Sequence, residues 1–347
     1  MRYERHSLAA VLLTLLILAA TGLSTLLKRE EPLVLDGAHI RCAIELGAHA
    51  DTTRGLLAGY NYYLLQQFAR DHGASIEIHP SQREDRFLDT LKRGGVHLVV
   101  LPFPEAGPDS VLCSVPVDSL SVWAVPEREQ ALLAEIDRWL LAWQADSTAA
   151  TAVRSRFFRS YDPLKMAAAG RRAPYISPYD SLVRATAKPI GWDWRLLSAL
   201  IFQESRFHIE LRSRRGAEGL MQMMPLTARR MGAEHSFDPE QSLQAGTRYL
   251  GLLQRRFRKT ARSEEELCKF TLAAYNAGEG RIQDCINYAR VRGLGGDCWD
   301  DIVQVIPEMN VEDLHDTVKL GPFKGRETLS YVDRVLALYE AYKQVCP

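Results

Sequence analysis

The chain has 347 residues, a length that suits two domains of ordinary size. Hydrophobic residues make up 46% of it and charged residues 25%, both close to globular averages, so wholesale disorder is excluded. Lys and Arg total 43, as do Asp and Glu, so the formal net charge is zero and the strong basic surplus of a dedicated nucleic-acid binder is missing. We therefore expect a globular protein with no nucleic-acid partner.

The sequence contains none of the common cofactor motifs. Its nine His are scattered singly and its six Cys form no C-x-x-C pair, so no zinc-site spacing appears. It has no Walker A sequence, no G-x-G-x-x-G strand turn and no G-x-S-x-G nucleophile elbow. We expect neither a cofactor nor a bound metal.

The first 32 residues have the pattern of a signal or transmembrane anchor. Arg2 and Arg5 precede an uncharged, mostly apolar run at residues 8–27, which as a helix would span about 30 Å. An uncleaved anchor, a cleaved signal and a buried core helix all remain open. The first two place the rest of the chain in the periplasm, anchored in the membrane or exported after cleavage. No Cys follows closely enough to be lipid-modified, so the inner membrane is favoured over a lipid anchor in the outer membrane.

The cysteines allow two interpretations. Two lie in the first half of the chain and four in the second, which is the even distribution that disulfides within each domain would require in an oxidising periplasm. The alternative is six small buried hydrophobic side chains.

Residues 33–163 alternate short β runs with helices. Strands are predicted at 39–45, 75–79 and 96–101, with a further extended stretch at 115–125. Helices are predicted at 60–72, 85–93 and 127–143. Such alternation indicates an α/β domain built on a parallel-rich sheet. Residues 164–178, which are small, basic and proline-bearing, are predicted to be a linker.

Residues 179–347 have almost no β signal and are predicted to form an all-α domain. Asp193 can cap a helix over 194–207, and Asp238-Pro239-x-Gln241 is a strong helix start. Ser263-x-x-Glu266 opens a further helix, and a last one is expected over 327–345. The domain is long enough to bury its own core.

One carboxyl of this domain is a candidate for acid catalysis. Leu197, Leu200 and Ile201 belong to an apolar stripe, and Glu204 follows on the same face near the helix C-terminus. Apolar surroundings and the negative end of the helix dipole would both raise the pKa of Glu204, as a general acid near neutral pH requires. From periodicity alone, a solvent-exposed Glu at the helix edge is the commoner case.

Four sequence blocks change that balance. They are ESRF at 204–207, GAEGLMQMMPLTA at 216–228, AAYNAGEG at 273–280 and ETLSYV at 327–332. In this order and spacing they resemble the catalytic domain of the soluble-type lytic transglycosylases of peptidoglycan, which has a goose-lysozyme-like fold. The resemblance covers roughly residues 178–345.

The resemblance implies a role for each matching residue. Glu204 would be the catalytic acid/base. The substrate-binding residues would be Ser213, which holds the N-acetyl group, Met221 and Gln222 beside Glu204, Tyr275 and Asn276 on the opposite wall of the cleft, and Tyr331 close to the reacting sugar. Met221 and Tyr275 can also be plain core residues, and Glu327 can be a helix cap.

The resemblance also implies a reaction that needs one carboxyl. Most glycosidases need two, whereas a lytic transglycosylase protonates the glycosidic oxygen and then closes a 1,6-anhydro ring on the muramyl sugar itself. The expected partners are peptidoglycan glycan strands and muropeptides, with the membrane contacted by the N-terminal segment. A lysozyme-type hydrolase and a non-catalytic peptidoglycan-binding or receptor protein stay open, as does exo against endo action.

The order of the segments is similar to that of the membrane-bound lytic transglycosylases of the F type, whose first domain resembles the bilobed periplasmic solute-binding proteins. Residues 33–163 are too few for two lobes. The expected fold is therefore a two-domain α+β protein, with a single α/β lobe of periplasmic-binding-protein type followed by a mostly α lysozyme-like domain. A single lobe is expected to dock or regulate rather than to enclose a small solute.

Overall fold

The structure, a computed structural model, describes residues 33–44, 56–80, 84–103, 111–118, 120–158, 169, 175–310, 319–320 and 325–346. The predicted anchor at 1–32 and most of the predicted linker at 164–178 lie outside these residues. None of the helices within the described ranges combines the length and the apolar character needed to cross a membrane.

The N-terminal part contains a mixed five-stranded sheet. Its strands are β1 (His39–Ile44), β2 (Ser75–Pro80), β3 (Leu98–Pro102), β4 (Val111–Cys113) and β5 (Ser121–Pro126). They are ordered β2-β1-β3-β5-β4, with β1 parallel to β2 and β3, and β5 antiparallel to β3 and β4. The prediction of a parallel-rich sheet was therefore wrong for the half that contains β4 and β5. The short connection between these two strands cannot make the crossover that a parallel pair requires.

A turn also divides the stretch predicted as extended at 115–125. The side chain of Asp118 accepts hydrogen bonds from the backbone N–H of Leu120 (2.7 Å) and of Ser121 (2.8 Å). An Asp side chain can accept backbone hydrogen bonds that a neighbouring strand would otherwise accept. The turn therefore ends one extended segment, and β5 begins at Ser121.

Helices cover both faces of the sheet. They are α1 (Leu57–Asp71), α2 (Glu84–Lys92), α3 (Gln130–Ala145) and α4 (Ser147–Phe158). Alternate residues of one strand serve the two faces: Cys42 packs in the cluster of α1 and α3, whereas Ala43 packs with Leu91 of α2. Asn61 of α1 accepts a hydrogen bond from the buried indole of Trp123 on β5 (2.9 Å), which fixes the helix on the sheet.

The C-terminal part is helical. Its α-helices are α5 (Asp180–Ala187), α6 (Trp194–Ser205), α7 (Pro225–Arg230), α8 (Pro239–Phe257), α9 (Glu264–Ala277), α10 (Glu279–Val291), α11 (Trp299–Val305) and α12 (Arg326–Val345). Short 3₁₀ turns occupy Lys188–Ile190 and Glu308–Asn310. The three predicted caps are confirmed, since the side chains of Asp193, Asp238 and Ser263 each accept a backbone N–H of the first helical turn.

The two parts are packed against each other. The buried ring of Tyr179, just before α5, lies against Gly59 of α1 and edge-on to Phe157 of α4. The hydroxyl of Tyr62 donates to Asp238 at the start of α8 (3.4 Å). A mixed α/β part followed by a helical part is thus established, while the periplasmic-binding-protein type and the domain boundaries at 33–163 and 179–347 stay predictions.

Five cysteines, Cys42, Cys268, Cys285, Cys298 and Cys346, have free thiols. Burial raises the pKa of Cys268 and of Cys285 to about 12, so both thiols are protonated and behave as small apolar side chains. The structure thus favours the second interpretation of the cysteines over disulfides.

Candidate active site

Glu204 lies in the last turn of α6, at the point where the chain reverses. Leu197, Leu200 and Ile201 of this helix are fully buried, as the apolar stripe predicts. Directly after the helix, Arg206 and Phe207 adopt left-handed backbone angles, with φ of 52° and 66°. Arg206 is the C-cap of the helix, a position where left-handed angles are common, and such angles cost non-glycine residues about 1 kcal/mol or more each.

The carboxyl of Glu204 is protonated more readily than an ordinary one. Burial raises its pKa from 4.5 to about 7. The hydroxyl of Tyr331, a buried residue of α12, donates a hydrogen bond to Oε1 of Glu204 at 2.5 Å, and this lowers the pKa without cancelling the effect of burial. Near neutral pH the group is therefore divided between its acid and its base form.

Two antiparallel helices hold this pair in place. Near the start of α6, the hydroxyl of Tyr339 on α12 donates to Asp193 (3.2 Å). At the end of α6, the hydroxyl of Tyr331 near the start of α12 donates to Glu204. Between them, Nε of Arg334 donates to Oε1 of Gln203 (3.2 Å). The relative position of Glu204 and Tyr331 is thus set by the packing of α6 against α12.

Glu204 faces a cavity of about 530 Å³. Its lining residues are Gln203, Glu204, Asn276, Arg326, Glu327, Ser330, Tyr331 and Arg334. Almost all of them are polar or charged, which suits a hydroxyl-rich ligand better than an apolar one. The cavity includes a second carboxyl, that of Glu327, which sequence analysis had assigned as a possible helix cap.

Four residues of this cavity were not predicted from the sequence: Gln203, Arg326, Ser330 and Arg334. The sequence does contain a signal for Ser330 and Arg334. Glu327, Ser330, Tyr331 and Arg334 follow the spacing i, i+3, i+4, i+7, so they share one helix face with the tyrosine that had been identified.

Tyr275 and Asn276 lie at the end of α9. The hydroxyl of Tyr275 donates to the backbone carbonyl of Met221 (2.7 Å). Burial, followed by the nearby charge of Glu204, raises the pKa of Tyr275 well above its usual value, so it stays a neutral donor. Asn276 lines the cavity and its side-chain oxygen accepts from Oγ1 of Thr328 (2.9 Å).

Met221 and Gln222 have different surroundings from Asn276. The side chain of Met221 is fully buried and packs on Gly246 of α8, where only a residue without Cβ leaves room for it. The side chain of Met221 is thus a core residue, and its backbone carbonyl accepts the hydrogen bond from Tyr275. Gln222 has φ of 47°, and its side-chain amide donates to the carbonyls of Leu211 and Gly219, both at 2.9 Å.

Ser213 lies in the same loop, at the turn before Gly216. Its hydroxyl accepts from the backbone N–H of Ala217 (2.9 Å), so in this structure it closes the loop. Ser213, Met221 and Gln222 do not line the cavity of Glu204, whereas Asn276 and Tyr331 do. Of the predicted substrate residues, two thus line the cavity and three form the loop, while Tyr275 is in α9 and contacts the loop through the carbonyl of Met221.

No described residue of the cavity belongs to a cluster of potential metal ligands. Such clusters among the described residues are Glu77 with His79 and His235, and Asp297 with Cys298 and Asp301. The chemistry available beside Glu204 is therefore that of carboxyl, hydroxyl, amide and guanidinium groups.

Comparisons with known proteins identify a family model and named relatives that this chain resembles. Residues 181–293 match the family model described as Transglycosylase SLT domain. The chain is 30% identical to membrane-bound lytic murein transglycosylase F of Desulfosudis oleivorans over 64% of this chain and 49% of that protein. It is 31% identical to the protein of the same name from Stutzerimonas stutzeri over 63% of this chain and 46% of that protein. The chain thus spans about half the length of the curated relatives that it matches.

Among solved structures, the chain is similar to the 70 kDa soluble lytic transglycosylase from Escherichia coli, with 25% identity, a TM-score of 0.35, and coverage of 62% of this chain and 30% of that one. A lytic transglycosylase from Pseudomonas aeruginosa gives a TM-score of 0.37 at the same identity and coverage. The segment matched by the family model includes Glu204 and Tyr275. Residues 181–293 of the helical part are therefore similar to a transglycosylase SLT domain.

Proposed function

We propose that the chain is a peptidoglycan lytic transglycosylase, a lyase acting on a polysaccharide. It cleaves the β-1,4 bond between MurNAc and GlcNAc and leaves 1,6-anhydromuramyl ends. The observation that carries the proposal is the carboxyl of Glu204, whose pKa is raised to about 7 at the wall of a polar cavity. The SLT domain that contains this residue supports the same reaction class.

Glu204 acts twice in this reaction. In its protonated form it donates a proton to the glycosidic oxygen, while the N-acetyl group of the substrate stabilises the oxocarbenium-like centre. The resulting carboxylate then accepts the proton of the muramyl C6 hydroxyl, whose oxygen closes the anhydro ring. A pKa near the working pH serves both steps, because neither proton transfer is then strongly uphill.

Tyr331 is a positioning residue for the second half of the cycle. Its hydroxyl donates to the carboxylate of Glu204 and so stabilises the charged form that must act as base. Burial keeps the pKa of Tyr331 well above its usual value, so the hydroxyl remains a donor throughout.

One observation favours a second candidate, a lysozyme-type hydrolase. Glu327 lines the same cavity as Glu204, and a second carboxyl can activate a water molecule against the sugar. Product release by Glu327→Gln distinguishes the two candidates. A hydrolase that uses Glu327 to activate water loses turnover in this variant, whereas a transglycosylase keeps it. A domain that only binds peptidoglycan releases no product in either form.

The pH dependence of the rate tests the pairing of Glu204 with Tyr331. Because the protonated carboxyl is the acid, kcat/KM should fall as the pH rises through about 7. Tyr331→Phe removes the hydrogen bond that lowers the pKa, so the falling limb should move to higher pH and kcat should decrease. Initial rates of anhydromuropeptide release between acidic and alkaline pH measure both effects.

Tyr339→Phe is the matched control for this change. It removes a hydroxyl from the same helix, but one that donates to Asp193 away from the cavity, so the limb should not move. Two results would contradict this pairing. In one, the kcat/KM of the wild type already falls near the pKa of an ordinary carboxyl. In the other, Tyr331→Phe and Tyr339→Phe shift the falling limb equally.

The proposal extends to location and partners. The chain would act in the periplasm on glycan strands and muropeptides, with residues 1–32 either holding it in the inner membrane or being removed after export. An apolar run at 8–27 and relatives named as membrane-bound support the anchor. A retained anchor predicts that the full-length protein resists extraction from membranes by high salt, whereas N-terminal sequencing that starts beyond the run would establish a cleaved signal.

A further inference from the structure

Three potential metal ligands meet where the α/β part contacts the helical part. Glu77 and His79 are two residues apart on β2, so they share a face of the strand, and His235 lies between α7 and α8. Oε1 of Glu77 is 2.7 Å from Nε2 of His235 and 3.0 Å from Nε2 of His79. The three ligand atoms all lie within 4.8 Å of one another.

We infer that Glu77, His79 and His235 form a binding site for a divalent transition-metal ion of the zinc type, which joins the two parts of the chain. Two imidazole nitrogens and one carboxylate oxygen are a ligand set that zinc accepts, with the fourth position left to water. Ligand atoms in a tetrahedral zinc site are about 3.3 Å apart, so the two separations from Oε1 of Glu77 need only a small expansion to admit the ion.

The surroundings are those of a ligand set held in place. His39 bridges Oε2 of Glu77 and the hydroxyl of Ser75, at 2.9 Å each, and so orients the carboxylate from its other side. The rings of His79 and His235 meet edge to face, 4.8 Å apart. Their side chains are 31% and 26% exposed, which leaves an entry path for an ion.

The guanidinium of Arg41 makes hydrogen bonds outside the cluster. Arg41 lies opposite Glu77 in the register of β1 and β2, but its guanidinium donates to the carbonyls of Gly94 and Gly95. The cluster thus combines one carboxylate with two imidazoles, and the guanidinium of Arg41 makes its backbone hydrogen bonds elsewhere.

The site also adjoins the loop that contains Gln222. His235 precedes Ser236, whose backbone carbonyl lies against Gly219 of that loop. A metal ion at His235 would therefore fix a segment on which the loop packs, as well as the contact between the two parts of the chain.

Zinc titration of the full-length, tag-free protein by calorimetry, with metal analysis after dialysis, tests the site. One ion per chain should bind to the wild type and raise its melting temperature. His79→Ala and His235→Ala should each weaken binding by at least about tenfold. Co²⁺ should give the visible spectrum of a four- or five-coordinate site in the wild type but not in these two variants.

His208→Ala is the matched control, because His208 pairs with Glu210 and is outside the cluster. It should bind zinc like the wild type. Should an alanine variant fail to fold, His39→Ala removes the hydrogen bonds to Glu77 and Ser75 but none of the three ligands, and it should still weaken binding measurably. Absence of stoichiometric binding to the wild type, or equal affinity in all four variants, would overturn the inference. These readouts do not depend on peptidoglycan cleavage, so the proposed activity is tested separately.

Discussion

Glu204→Gln is expected to abolish the release of anhydromuropeptides while leaving the fold intact. The amide has nearly the same shape as the carboxyl, but it cannot donate the proton that the leaving oxygen needs. Loss of general acid catalysis lowers rates by about 10²- to 10⁴-fold, and here the same residue is also the base, so the loss should be at the upper end or beyond.

The same variant should be more stable than the wild type at alkaline pH. The pKa of Glu204 is raised from 4.5 to about 7, so the unfolded chain releases this proton at a lower pH than the folded protein does. The wild type therefore loses stability as the pH rises from about 4.5 to about 7, and the whole penalty is present above pH 7. The amide removes this penalty, which is of the order of 1–3 kcal/mol. Denaturation at acidic and alkaline pH measures the difference. Substantial anhydro-product release by the variant would contradict the assignment of Glu204.

Gly219→Ala is expected to destabilise the loop that joins α6 to α7 by about 2–4 kcal/mol. Gly219 has φ of +71°, and a Cβ there would be 2.0 Å from the backbone carbonyl oxygen of Ser236. Because backbone rather than a flexible side chain blocks the Cβ, the loop must move, and with it the carbonyl that accepts from Gln222. Activity should fall together with stability.

Gly216→Ala is the control within the same loop. Gly216 also has a positive φ, +85°, but a Cβ there would meet nothing within 4 Å. It should therefore lose only the conformational preference of glycine, about 1 kcal/mol. Thermal melting of both variants separates the steric effect of the contact with Ser236 from the effect of the positive φ. Equal losses of stability in the two variants would show that the contact with Ser236 is unimportant.

Local signals predicted the helical part well. The caps at Asp193, Asp238 and Ser263 and the apolar stripe before Glu204 are consequences of neighbouring residues, so the sequence contains all the information that they need. The sheet was less predictable, because the pairing of β5 with β3 depends on where the chain turns, and one side chain, that of Asp118, makes that turn.

The site was predictable only in part, for the same reason. The burial of Met221 depends on the space above Gly246, a residue of another helix, and no local pattern reveals it. The cluster of Glu77, His79 and His235 joins residues far apart in the chain, so no ligand spacing along the sequence predicts it.

The products formed from purified glycan strands test the central proposal most directly. Mass spectrometry of the muropeptides should show ends that are lighter by one water molecule than hydrolysed ends, and no incorporation of isotopically labelled oxygen when the reaction is run in labelled water. Reducing ends that carry the label would contradict a transglycosylase and establish a hydrolase, with Glu327 as the first residue to examine for the activation of water.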